Sequence, residues 1–177
     1  LTSQFNQDIS NWDVSNVKYM NAMFSGSKFN QNISNWDVSN VKYMVSMFCK
    51  SKFNQDISKW DTSSLYSTEN MFYGASSFNQ DIGIWNVGCV TNMKNMFREA
   101  SLFNQNIGRW NVSKVRQMTG LFQDASSFNQ DIRNWKLNDA IKKSRTMFLN
   151  ATSFKEEFNP FNNADVNKFI VEKPKKV

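Results

Sequence analysis

Residues able to do chemistry are few in kind and repetitive in place. Histidine is absent and cysteine occurs twice, at Cys49 and Cys89. The usual general base and the usual nitrogen ligand for a metal are therefore missing. Two cysteines make neither a disulfide framework nor a zinc module. They fall at different places in the repeat described below, so two free thiols are expected. Aspartate and asparagine recur instead: Asp8, Asn32, Asp56, Asp81, Asn106 and Asp131 form one column, and Asp13, Asp37, Asp61, Asn86 and Asn111 form another, which ends in Lys136. Stacked acids could hold calcium, and paired carboxylates could hydrolyse a glycoside. The Gly-Gly-x-Gly-x-Asp loop of calcium β-rolls is missing, however. A carboxylate repeated in every coil also singles out no catalytic pair. Turn chemistry is the better reason for Asp and Asn at such places. No phosphate loop, dinucleotide fingerprint or nucleophile motif occurs. The reading is a protein that is not an enzyme, with no catalytic residue, metal ligand or cofactor.

What positions these columns is a repeat. Phe-Asn-Gln-(Asp/Asn)-Ile begins at Phe5, Phe29, Phe53, Phe78, Phe103 and Phe128, at steps of 24, 24, 25, 25 and 25 residues. With Phe as position 0, Ile stands at +4 (Ile9, Ile33, Ile57, Ile82, Ile107, Ile132) and Trp at +7 (Trp12, Trp36, Trp60, Trp85, Trp110, Trp135). Apolar residues follow at +9, +12, +15, +18 and +19, where Met23-Phe24 is the first of the closing pairs. The sixth copy brings this pair one residue late, as Met147-Phe148. The alternation in Ile-x-x-Trp-x-Val predicts a short strand. The spacing +12, +15, +18, +19 predicts a two-turn helix, capped by Ser15 and its equivalents. Neither element is stable alone, so the coils must stack, ring on ring. The expected fold is an α/β repeat: a leucine-rich-repeat-like solenoid with one short parallel strand and one short helix in each of about seven coils. Residues 1–153 hold six stacked repeats. Residues 154–171 form a degenerate seventh, with Phe154, Phe158, Phe161, Val166 and Phe169 in register, that acts as a cap, and 172–177 form a basic flexible tail. Strands about 4.8 Å apart would make a rod roughly 30 Å long. The recurring Asn at +1 and Gln at +2 predict ladders of side-chain amides bonded to the backbone of the adjacent coil.

Composition agrees with a folded, non-membrane-spanning repeat. Of the 177 residues 40% are apolar, including 16 Phe and 6 Trp, which excludes a disordered tail. No apolar run is long enough for a transmembrane helix. The net charge is +6, and +4 of it lies between Lys142 and Val177. This reads as a solvated basic end rather than a nucleic-acid surface, since no Arg-rich helix or RNA-binding aromatic motif accompanies it.

The unit Phe-Asn-Gln-Asp-Ile-Ser-Asn-Trp-Asp-Val-Ser-Asn-Val-x-x-Met-x-x-Met-Phe, from Phe5 to Phe24, resembles the repeat of the BspA-type leucine-rich-repeat surface proteins, in the branch with a roughly 25-residue repeat common in mycoplasma surface lipoproteins. The match extends from Phe5 to about Phe169. Ile-x-x-Trp-x-Val echoes the leucine-rich pattern, but Val17, Val41, Val90 and Val115 stand where that pattern has Asn. The resemblance implies a cell-surface or secreted protein used for adhesion or display, without enzymatic activity.

If Trp and Val point inward, the residues beside them point out. Asn11, Asp13, Asn35, Asp37, Lys59, Asp61, Asn86, Arg109, Asn111 and Lys136 then form a polar strip graded from acidic to basic. Two functions compete. One is a recognition module that binds a protein or a glycan through this strip. The other is a structural linker or scaffold packed inside a larger assembly. The apolar edge around Phe5, Ile9 and Trp12 has little chain ahead of it and is expected to meet a further repeat or a neighbouring subunit.

Overall fold

Phenylalanine sets the spacing of the coils. In the computed structural model, which describes residues 3–141 and 146–161, the Phe at +19 of each coil lies 5.6 to 5.8 Å from its counterpart in the next: Phe24, Phe48, Phe72, Phe97, Phe122 and Phe148. The +0 rings form a second column beside it, with Phe29 6.2 Å from Phe53 and Phe103 6.1 Å from Phe128. Each +19 ring lies flat on the +0 ring that follows it in the chain, 3.8 to 4.1 Å away in pairs such as Phe72–Phe78 and Phe148–Phe154. From Phe29 to Phe128 these rings are buried, as are Ile33, Ile57, Ile82, Ile107 and Ile132. Each such side chain contributes on the order of 1.5–3 kcal/mol by leaving water, and only the stacking of successive coils provides the burial.

Polar groups tie the coils in register. Asn6 Oδ1 accepts the Asn30 N–H at 2.8 Å, and the ladder continues through Asn54, Asn79, Asn104 and Asn129 at 2.8–2.9 Å. The Gln80, Gln105 and Gln130 amides donate to the backbone carbonyls of Asn54, Asn79 and Asn104. Asparagine suits this column because aspartate would set a line of like charges one coil apart. Five of the six Trp rings are buried. Their Nε1–H groups donate to the Ile carbonyl of the preceding coil at 3.0–3.1 Å, as Trp36 does to Ile9 and Trp85 to Ile57.

The expected strand and helix of each coil do not form, which corrects the α/β leucine-rich-repeat-like solenoid. Among the described residues there is no named strand, and the helical segments are two 3-10 turns, Asp139–Ile141 and Glu156–Phe158. The strand fails because its N–H groups are consumed inside the coil. In the second coil, Ser34 and Ser39 donate to Asn32 Oδ1 and Asp37 Oδ1, while Trp36 and Val41 donate to the Ile33 and Val38 carbonyls. Ile-x-x-Trp and Val-x-x-Val are thus two successive tight turns that still place Trp and Val inside and their neighbours outside. Strand-like bridges between coils are isolated and parallel, Ser3 to Ser27, Tyr19 to Tyr43, Tyr43 to Ser67, Ser67 to Asn92 and Asn92 to Gln117.

The helix fails for a related reason. Its alternate N–H groups leave the coil: Met44, Ser46, Phe48 and Lys50 donate to Ser67, Glu69, Met71 and Tyr73 of the next. Two residues of each of the first five coils, at +17 and +21, have φ of 53° to 66° (Ala22 and Gly26, Ser46 and Lys50, Asn70 and Gly74, Asn95 and Glu99, Gly120 and Asp124). A left-handed residue every fourth position ends each helical turn before an i to i+4 bond can close. Glycine and asparagine take that conformation readily; Ala22, Ser46, Lys50 and Glu99 are held there by their coil-to-coil bonds.

The difference between 24- and 25-residue coils is absorbed at one corner. In the shorter coils a buried serine closes it: the Ser27 hydroxyl donates to the Phe24 carbonyl at 2.7 Å and accepts the Phe29 N–H at 3.3 Å. In the longer ones an alanine stands there and the backbone makes the turn, Phe78 N–H to Ala75 and Phe103 N–H to Ala100, each at 3.1 Å. At the far end Phe154 extends the column, 5.7 Å from Phe128, and the Lys155 N–H takes Asn129 Oδ1. Phe158 and Phe161 are half-buried. Val166, Phe169, the basic tail and most of the basic end lie outside the described residues.

Candidate functional site: the polar turn face

All ten residues of the anticipated strip, Asn11, Asp13, Asn35, Asp37, Lys59, Asp61, Asn86, Arg109, Asn111 and Lys136, are exposed. They sit on turns rather than on a sheet, and this gives the +8 column a local task. Asp13, Asp37 and Asp61 each accept the N–H of the serine two residues on at 3.0 Å. Asn86 and Asn111 do the same for Gly88 and Ser113 with an amide oxygen. Lys136 cannot, and in its coil Asn138 accepts the Ala140 N–H instead. The +3 column works identically, Asp8 for Ser10 and Asp56 for Ser58. Turn formation therefore accounts for both aspartate columns.

Hydrogen bonds from Ser15, Ser39 and Ser63, hydroxyl first and then backbone N–H, hold the carboxyls of Asp13, Asp37 and Asp61 below the ordinary aspartate range, while the carboxylate one coil away pushes Asp37 and Asp61 slightly back up. A carboxyl whose folded pKa is depressed stabilises the fold above its unfolded value, near 3.9, and that stability is lost as pH falls through the folded value. The melting temperature should therefore hold down to about pH 4 and decline below it. Combined Asp37→Asn and Asp61→Asn substitutions, which keep the turn as Asn86 and Asn111 do, should flatten that decline. Melts at pH 2.5 to 7 measure both; an equal acid slope in the double variant would refute the assignment.

The +6 column is freer. Asn11, Asn35, Lys59, Ile84, Arg109 and Asn134 occupy one structural place in consecutive coils, all exposed. Ile84 is 75% exposed, between Lys59 one coil before and Arg109 one coil after. A separate feature outside the strip is a ladder of tyrosines. Tyr19 lies 5.3 Å from Tyr43 and Tyr43 lies 6.5 Å from Tyr66, with Tyr19 and Tyr66 largely exposed and Lys18 and Lys42 adjoining. Tyrosine at +14 in the first two coils and at +13 in the third was the available sign of it. Cys49 and Cys89 are free and half-buried, and burial raises the Cys49 thiol pKa. No helix among the described residues is long and apolar enough to cross a membrane.

A backbone fixed by recurring turn bonds displays the exposed +6 column, which reads Asn, Asn, Lys, Ile, Arg and Asn along the coils. The family model described as "Mycoplasma protein of unknown function, DUF285" matches residues 1–97 and again residues 80–172. The chain belongs to the DUF285 family. The overlapping spans each take in several coils, so a DUF285 unit here is a run of the repeat rather than one copy of it. No curated protein and no solved structure matches significantly.

Proposed function

We propose that this DUF285 chain is a non-catalytic recognition module that binds a protein partner through its polar turn face, centred on Lys59, Ile84 and Arg109. The observation that carries the reading is the exposure of Ile84, 75% in solvent with a cation on either side in the same column. An isoleucine at a place where other coils carry polar residues has no turn to make and no core to fill. An apolar contact flanked by two positive charges suits an acidic protein surface with an apolar centre, as interface cores and rims are built. Sheet or turn faces of stacked repeats provide broad surfaces for such contacts. The likeness of the repeat to BspA-type surface proteins supports placement at a cell surface or outside the cell. Nucleic acid is not the proposed partner.

Selection of a displayed random peptide library on the full chain tests this. Enriched peptides should combine Asp or Glu with Leu, Ile or Phe. They should bind the Lys59→Glu/Arg109→Glu variant roughly tenfold more weakly, and Ile84→Asn should weaken them too, with melting temperatures unchanged. Peptides indifferent to all three substitutions, or enrichment on a glycan array alone, would sink the protein-binding reading.

A further inference from the structure

We propose that the face carrying positions +13 and +14 is a second binding surface, for a linear acidic glycan, held by Lys42, Tyr43, Tyr66, Lys114 and Arg116. It is distinct from the turn face, and neither needs the other. From +10 to +15 the first five coils carry four cations, Lys18, Lys42, Lys114 and Arg116, and no carboxylate. All four cations are exposed, and none has an ion pair among the described residues. The bordering carboxylate, Glu69, is engaged by Lys94 at 3.7 Å and by Asn92 Nδ2 at 2.9 Å. Coils two to five are covered on both sides, so the face owes nothing to the end of the stack.

The backbone beneath these cations is a fixed floor. Apart from the corner at Ser3 and Ser27, the parallel bridges between described coils all lie here. The Lys18 carbonyl accepts the Lys42 and Tyr43 N–H groups, the Lys42 carbonyl those of Tyr66 and Ser67, and the Tyr66 carbonyl that of Thr91, at 2.8–3.3 Å. The Tyr43 and Ser67 carbonyls accept from Met20 and Met44. No free edge is left to which a peptide adds as a strand.

The tyrosines give the floor its chemistry. Tyr43 lies 5.3 Å from Tyr19, within 5° of parallel, and 6.5 Å from Tyr66. With both faces covered, Tyr43 turns its edge to solvent, the positive side of the aromatic quadrupole. It has no face on which a nucleic-acid base can stack. Elsewhere Tyr73 gives its hydroxyl to Glu99 at 3.2 Å, whereas the Tyr43 and Tyr66 hydroxyls have no partner among the described residues and are free to donate. Beyond Tyr66 the +13 column continues with the smaller Thr91 and then Arg116.

The occupant must therefore be anionic and rich in acceptors. It must also be poor in apolar surface, because the face exposes no large aliphatic side chain and so lacks the anchor of a protein interface. A linear glycan bearing carboxylates or sulfates meets these conditions. Its sugar residues match in length the 5.3 Å between Tyr19 and Tyr43, so successive sugars meet successive coils.

Calorimetric titration of the full chain with a heparin decasaccharide tests this. Binding is expected, and Lys42→Gln/Arg116→Gln should weaken it roughly tenfold or more by removing two charge-assisted bonds. Lys59→Gln/Arg109→Gln takes the same charge from the turn face and should change it less than roughly twofold. Tyr43→Phe/Tyr66→Phe keeps the stack and the charge and should weaken binding roughly threefold or more through the lost hydroxyls. Melting temperatures should stay at the native value. Absence of binding, full affinity in the tyrosine variant, or equal weakening by the two charge-removing pairs overturns the proposal. Polyglutamate or oligothymidylate of matched charge binding as tightly as the decasaccharide assigns the face to an acidic protein segment or to single-stranded nucleic acid, and overturns it as well.

Discussion

Replacing Phe97 by alanine is expected to destabilise the chain by about 3–5 kcal/mol, the range for emptying a fully buried aromatic site. Phe97 is completely buried. Its ring lies 5.7 Å from Phe72 in one neighbouring coil and 5.7 Å from Phe122 in the other, and stacks on Phe103 at 3.9 Å. The cavity would thus open at the centre of the column, where no solvent-side loop can collapse into it. In a stack whose units touch only their neighbours, such a loss also weakens the coupling of the coils on either side. Urea unfolding followed by tryptophan fluorescence should show a lower midpoint and a broadened or split transition. A change below about 1 kcal/mol would mean that the phenylalanine columns do not hold the coils together.

The second large effect is a contrast between two residues of identical type and repeat position. Trp85→Ala should cost about 3–5 kcal/mol. It removes a ring stacked 6.3 Å from Trp60 and leaves the Ile57 carbonyl, which accepts its Nε1–H at 3.0 Å, without that donor. Trp12→Ala should cost no more than about 1 kcal/mol, because the Trp12 ring is 53% exposed and rests on no earlier coil. Denaturation midpoints of the two variants measured side by side decide the matter. Equal losses would show that the first coil is covered in solution.

Sequence legibility differs sharply between the core and the backbone. The columns of Phe, Ile, Trp and Met were readable because each coil buries the same residue at the same offset, and an interior that repeats must repeat its side chains. The Asn ladder was readable for the same reason. The path between these anchors was not. Ile33-x-x-Trp36-x-Val38 has the in-and-out pattern of a strand, yet Asn32 and Asp37 capture the N–H groups two residues on and fold it into turns. Asp-x-Ser at two places in a coil was the relevant sign, and it outweighs alternation where the chain turns sharply. The helical reading of Val41, Met44, Met47 and Phe48 leaves unused the recurrence of Gly or Asn at +17, at Asn70, Asn95 and Gly120, which adds a left-handed residue to the one at +21, at Gly26, Gly74 and Asp124. Ala22, Ser46, Lys50 and Glu99 at the same places obscured it, since such residues take the left-handed conformation only when tertiary bonds require it. The residues of the polar strip are exposed, but the one aspartate column within it, Asp13, Asp37 and Asp61, is explained by the turns it makes. The informative member, Ile84, stands out only once its exposure is known.

The serine-or-alanine corner has a practical consequence. Between Ala75 and Phe78 the chain takes up one residue more than between Ser27 and Phe29 while both ring columns keep their spacing. Length is thus tolerated at this vertex of the winding, while the sixth coil takes its additional residue between Trp135 and Met147. Grafting an epitope or a protease site between Ser76 and Ser77 would engineer the chain at the vertex it already varies, and would leave the aromatic spine undisturbed.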